Sequence, residues 1–221
     1  MRVIALPVKS LDDAKTRLGP VLEPLERASL TLAMLEDVMD ATQSLSGWET
    51  WVISPDEGVL ELVLRRGAHA IAEDTPPLGN AIRQVEEEAA ARQAESLAVL
   101  LPDTPLVTAE ALTRALHTLG PAVVAPSRDE SGTNLLLRRP PRAIPARFGA
   151  DSYRLHLQAA AEADIPISVA SSPELGFDLD APDDILTVLE ARRAGRTKGV
   201  LRELDLPARL GTPGHTRAGG T

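Results

Sequence analysis

The chain reads as an α/β protein with a mostly parallel central sheet and helices on both faces. Three observations predict this. Short apolar runs alternate along the chain with longer stretches of helical periodicity. Several runs, such as 97–101, are apolar without interruption, as strands covered on both faces are. The 221 residues include only Trp48, Trp51, Tyr153, Phe148 and Phe177 as aromatics, so Leu, Val, Ile and Ala must form the core.

Taken in order, residues 3–8 are a strand that runs into a Lys-rich loop. Residues 24–42 form a helix, with Leu25, Ala28, Leu32, Leu35 and Met39 at helical spacing. Residues 51–54 are a strand stopped by Pro55, and 57–66 a helix closed by Gly67. Strand 68–72, helix 80–93 and strand 96–101 follow, the last stopping at Pro102 and Asp103. Helix 108–119 opens on Thr108, a capping residue. Strands 122–125 and 133–137 flank a polar loop and depart from simple winding. Helix 152–163, strand 165–170, a short strand at 176–179 and helix 182–193 complete the pattern. The expected organisation is one domain over 1–196 and a partly flexible C-terminal extension over 197–221, whose last stretch is rich in Gly, Pro and Thr.

Composition excludes several classes of function. With no cysteine there is no disulfide frame, thiolate zinc site, thiol nucleophile or iron–sulfur cluster. The apolar runs fall far short of the roughly 20 residues that span a bilayer. The opening MRVIALPVKS does not read as a signal peptide, so a cytoplasmic protein without a membrane partner is expected. Lys and Arg total 23 against 32 Asp and Glu, a net charge of −9. That balance and the few aromatics argue against a nucleic-acid partner. A small anionic ligand remains compatible, given local cations.

Three segments carry candidate chemistry. Lys9, Lys15 and Arg17 follow the first strand in PVKSLDDAKTRL, where ligands of open α/β sheets bind; they suit a phosphate-bearing ligand or a merely solvated loop. Asp103, held between two prolines in LPDTP, serves either as a turn residue or as a metal ligand. In GFDLDAPDDI, Asp178 and Asp180 stand two apart in a strand-like segment, so both carboxylates point to one side. Two carboxylates so placed repel unless a cation joins them, and oxygen ligands suit Mg2+. Helix capping explains Asp180 but hardly Asp178. SGTN and FGADS add turn and helix-start signals that also suit an anion. The scattered His69, His117, His156 and His215 share no ligand spacing and are assigned surface or packing roles.

In this order, PVKSLDDAKTRL, LAMLEDVM, VLLPDTPL, SGTNLLL, RFGADSYRLHL and FDLDAPDDI resemble the 2-phospho-L-lactate guanylyltransferase family. Its bacterial members are the phosphoenolpyruvate guanylyltransferases of coenzyme F(420) biosynthesis. The resemblance covers about residues 1–190. It implies a nucleotidyltransferase fold similar to glycosyltransferase-A folds, and transfer of GMP from GTP to a small phosphorylated acid with release of pyrophosphate. It further implies Mg2+ on Asp103, Asp178 and Asp180, and Lys9 beside the phosphorylated acid. Thr133, Gly149 and Ser152 match the acid-binding residues, and Lys15 and Arg17 would meet nucleotide phosphates. Hand-over of a short-lived product to a downstream transferase is a further implication. Ala181 replaces a common capping Thr, which predicts that Asp180 shares capping with metal binding. A molybdopterin- or sugar-phosphate-type nucleotidyltransferase would instead carry a Gly-rich loop at the N-terminus, and a non-catalytic domain of the same fold would need no metal.

Overall fold

Alternation along the first strand sets up two cores. Arg2–Pro7 forms β1, in which Ile4 and Leu6 enter one hydrophobic cluster while Val3 and Ala5 enter another on the opposite face. The remaining strands are β2 (Glu49–Ser54), β3 (His69–Ala72), β4 (Ser96–Leu100), β5 (Ala122–Pro126), β6 (Thr133–Arg138) and β7 (Ile167–Val169). The computed structural model describes residues 1–193 and 195–206.

One sheet holds all seven described strands in the order β3-β2-β1-β4-β6-β5-β7. β1 pairs in parallel with both β2 and β4, while β6 lies antiparallel between β4 and β5. The mostly parallel sheet is therefore as expected. Its departure is β6, which returns from β5 as a neighbouring strand and inserts beside β4.

Helices cover both faces. α1 (Pro24–Gln43), α2 (Glu57–Arg65) and α4 (Ala109–His117) pack on the side of Ile4 and Leu6, through residues such as Leu35, Val63 and Leu112. α3 (Leu78–Ala91) covers the other side through Ile82 and Val85, and α5 (Ser152–Glu162) joins there through Ala160. Thr108 caps α4 as its residue type predicts, its hydroxyl accepting the Ala111 N–H at 3.1 Å.

Three local expectations need correction. Residues 176–179 are not a strand: Pro173–Gly176 is a short helix, α6, and 177–180 is extended chain outside the sheet. One backbone bond, from Leu179 N–H to the Asp103 carbonyl at 2.9 Å, holds that segment, because no strand edge is free beside it. The strand expected at 165–170 shrinks to β7 at the sheet's edge. The last helix predicted within the core domain, α7 (Pro182–Glu190), stops before residue 193.

Beyond it, α8 (Arg196–Glu203) packs on α1, with Leu201 and Leu206 fully buried beside Leu30 and Met34. The expected boundary at 196/197 thus coincides with the first turn of a packed helix, while 207–221 lie outside the described residues. Asp37, buried within α1, accepts the first free amides of α8, from Arg196 at 2.8 Å and Thr197 at 2.9 Å. Gly195 makes room for it: a Cβ there would meet Asp37 Oδ2 at 2.7 Å. Asp37→Ala removes the acceptor and should lower stability by about 2 kcal/mol. Urea unfolding checks the loss, and hydrogen exchange should quicken first in Arg196–Glu203.

Candidate active site

The strand order reverses between β1 and β4, the place where open α/β sheets bind ligands at the carboxyl ends of their strands. Past β1 the chain makes two single turns, Leu11–Asp13 and Thr16–Leu18. Lys15 joins them in the left-handed region at φ 51°, ψ 42°, a conformation that strains a residue with a Cβ. Leu18 and Leu22, buried against Leu179 and Ile185, anchor the loop from behind.

That geometry turns the Lys15 side chain inward. Its ammonium, 9% exposed, lies 2.8 Å from Asp103 Oδ2 and 2.6 Å from Asp180 Oδ1. Burial alone would lower the Lys15 pKa, but the two carboxylates outweigh it and the net shift is upward. Arg17 stands at the rim, 80% exposed and 3.8 Å from Asp180 Oδ2.

Asp178 completes the cluster. Burial first, then the charges of Asp103 and Asp180, push its pKa up to about 6; Asn134 and Lys15 act in the opposite sense. Phe177 and Leu179 alternate with the two aspartates and go into the core, so the polar pair is left facing the site. Asp180 does not cap α7, contrary to the expectation from Ala181. Asp184 reaches back instead, accepting the Asp180 N–H at 2.8 Å and the Ala181 N–H at 2.7 Å. Asp184 is itself paired with Arg128, which lies over the Phe177 ring at 5.1 Å.

Among the described residues no set of three or more Asp, Glu or His side chains stands ready to hold a metal ion. Lys15 accounts for this, since its ammonium engages two of the three carboxylates. The cluster nevertheless fits a cation. Two carboxylates contact one buried ammonium, the charge of a third, Asp178, is felt by all of them, and Asp103 Oδ1 is buried with no hydrogen-bond partner.

The remaining predicted residues fall into a second group. Lys9 is exposed just past β1 and pairs with no described carboxylate. Thr133 opens β6; because that strand runs antiparallel to β4 and β5, its first residue lies at their carboxyl edge. Ser152 is buried at the first turn of α5, and Gly149 precedes it at φ +125°, a conformation that favours glycine. His156, assigned only a surface or packing role from sequence, is the residue that joins them. Its Nδ1 lies 3.0 Å from Thr133 Oγ1, and its Nε2 accepts the Arg147 N–H at 2.8 Å. The one available signal was its position four residues after Ser152, on the same helix face.

A largely parallel sheet with one reversed strand beside its switch point is the fold of the nucleotidyltransferases. The fold agrees with a nucleotidyl transferase from Methanothermobacter, at TM-score 0.65 and 18% identity over 92% of this chain and 99% of that one. It also agrees with a Desulfovibrio desulfuricans structure provisionally described as a nucleotide-diphospho-sugar transferase, at TM-score 0.76 and 22% identity over 95% and 98% of the two chains. More particularly, the chain belongs to the CofC-like guanylyl transferase family, whose model matches residues 1–217. It is 39% identical over 189 residues to the phosphoenolpyruvate guanylyltransferase of Rubrobacter xylanophilus, covering 84% of this chain and 92% of that one. The Sphaerobacter thermophilus enzyme of the same name is 37% identical, with 83% and 90% covered.

Three outcomes follow for stability. Lys15→Met leaves the carboxylates without their counter-ion and should destabilise the metal-free protein by roughly 3 kcal/mol. Asp178→Asn, which removes a half-buried charge facing Asp103 and Asp180, should raise the melting temperature at pH 7 to 8; calorimetry of both variants checks the opposite signs. His156 is held near pKa 4, below its ordinary 6.5, chiefly by burial and then by Arg138 and Arg147. As pH falls from about 6.5 to 4, the unfolded chain binds this proton before the folded one does, so stability falls across that window. The total is on the order of 3 kcal/mol. His156→Asn should flatten that part of the profile in urea titrations at pH 7 and pH 4.5.

Proposed function

We propose that this protein transfers GMP from GTP to phosphoenolpyruvate and releases pyrophosphate, in coenzyme F(420) biosynthesis. The observation that carries the reading is the gathering of Lys15, Asp103, Asp178 and Asp180 at the switch point of a guanylyl transferase chain. The names of the Rubrobacter and Sphaerobacter relatives support phosphoenolpyruvate as the acid.

The chemistry needs no general base. A phosphate monoester with a second pKa near 6 is mostly a dianion at neutral pH. Its oxygen forms the new bond to the α-phosphorus of GTP, and the bond from that phosphorus to the bridging oxygen breaks as pyrophosphate leaves. The obstacle is repulsion between two anions. Two unit charges at about 4 Å still repel by about 4 kcal/mol at an effective dielectric near 20. Asp103, Asp178 and Asp180 would hold a divalent cation such as Mg2+, which when bound supplies Lewis-acid stabilisation of the phosphoryl oxygens. Arg17, exposed at the rim, would meet the leaving phosphates, and Lys15 would keep two of the acidic residues in position. Lys9, Thr133, Gly149 and Ser152 form the acid's side of the site, where the free amides at the α5 N-terminus suit a carboxylate or phosphate. The reading places the protein in the cytoplasm, with hand-over of the guanylylated product to a downstream transferase.

Pyrophosphate release, measured with GTP and Mg2+ against phosphoenolpyruvate, 2-phospho-L-lactate and 3-phosphoglycerate, tests this. Release should require phosphoenolpyruvate, stop with EDTA, and fall by at least about a hundredfold in Asp103→Asn and Asp180→Asn. No release with any of the three acids would refute guanylyl transfer to this class of acceptor.

A further inference from the structure

His156 is fully buried, yet both ring nitrogens are engaged. The Arg147 backbone N–H, 2.8 Å from Nε2, can only donate, so Nε2 presents its lone pair. In a neutral ring the proton then sits on Nδ1 and points at Thr133 Oγ1, 3.0 Å away. Burial and the charges of Arg138 and Arg147 keep the ring neutral at pH 7, and an imidazolium would set N–H against N–H at Arg147. The Phe148 ring, edge-on at 5.0 Å, limits its rotation. With its oxygen already accepting from His156, the Thr133 hydroxyl must turn its own proton elsewhere. No described residue accepts that proton.

We propose that His156 is a positioning residue that fixes the Thr133 hydroxyl as a donor toward the anionic acid substrate. An isolated hydroxyl can rotate between donating and accepting, whereas an anion accepts only; holding the rotor beforehand removes that reorganisation from binding. The same ring ties the start of β6 to the Arg147–Gly149 turn, so it sets the distance between Thr133 and the α5 N-terminus. The inference rests on the reading of Thr133 as a residue that binds the acid.

Two measurements test it. In wild-type protein labelled with 15N, long-range 1H–15N correlation at pH 7 should show His156 neutral with Nδ1 protonated. The opposite tautomer, or an imidazolium, overturns the proposal. In steady-state assays Thr133→Val should raise the KM for phosphoenolpyruvate by about tenfold, with kcat and the KM for GTP little changed. His156→Gln, whose carbonyl can replace Nε2 toward Arg147 but leaves Thr133 without its donor, should raise the same KM comparably. It should add nothing in the Thr133→Val background. His156→Asn, which can restore a donor at the Nδ1 position, should recover most of the loss. If His156→Gln keeps its full effect in the Thr133→Val background, or depresses kcat with both substrates equally, the coupling is refuted while the acid-binding role of Thr133 stands. An unchanged KM in Thr133→Val itself removes that role and this inference together.

Discussion

Mutual repulsion among Asp103, Asp178 and Asp180 is the constraint around which the carboxyl edge of the sheet is organised. Brought together without compensation, three carboxylates would open the loops that carry them. The buried Lys15 ammonium opposes this, and its position depends on the left-handed backbone between two short turns. That strained residue is tolerable because the ion pairs and the buried Leu18 and Leu22 hold it on both sides. One positive charge is still too few for three negative ones. The residual imbalance shows in the raised pKa of Asp178 and in the unpartnered Asp103 Oδ1.

The neighbouring parts of the fold isolate this cluster from structural duties. Asp184 takes the capping role, Arg128 neutralises Asp184, and the Leu179 amide is spent on the Asp103 carbonyl. Thr104, buried beside Asp103, bonds the Leu101 carbonyl at 2.9 Å and so closes the turn without drawing on the carboxylate. Asp180 is therefore left with only cationic side-chain partners. The Thr133 and Ser152 region is organised by a neutral hydrogen-bond chain through His156 instead of by ion pairs. That choice avoids adding a charge beside the site an anion would occupy.

A good part of this was legible in the sequence. The alternation of apolar runs and helical periods revealed the parallel sheet, since burial on both faces writes itself directly into residue type. Asp178 and Asp180 stood out because a pair two apart in an extended segment has few structural uses. Asp103, between two prolines, reads equally as a turn residue and became a candidate through the family resemblance. Gly176–Leu179 misled for a related reason: its period-two pattern is real, with Phe177 and Leu179 buried, but burial comes from packing on α1 and α7 and not from a strand partner. His156 was invisible in its role, because a single histidine on an Ala-rich helix has the signature of ordinary packing.

Local pattern alone determined where strands and helices run, which residues are apolar enough to be core, and which acidic residues are candidates for chemistry. Tertiary structure decided who meets whom. Lys15 finds its partners 88 and 165 residues away, and His156 finds Thr133 23 residues back. Such pairings follow from the insertion of reversed β6 beside β4 and from the cluster in which α7 and α8 close over Leu30 and Met34 of α1. Periodicity reports a residue's exposure to water but carries no record of the distant group it will face.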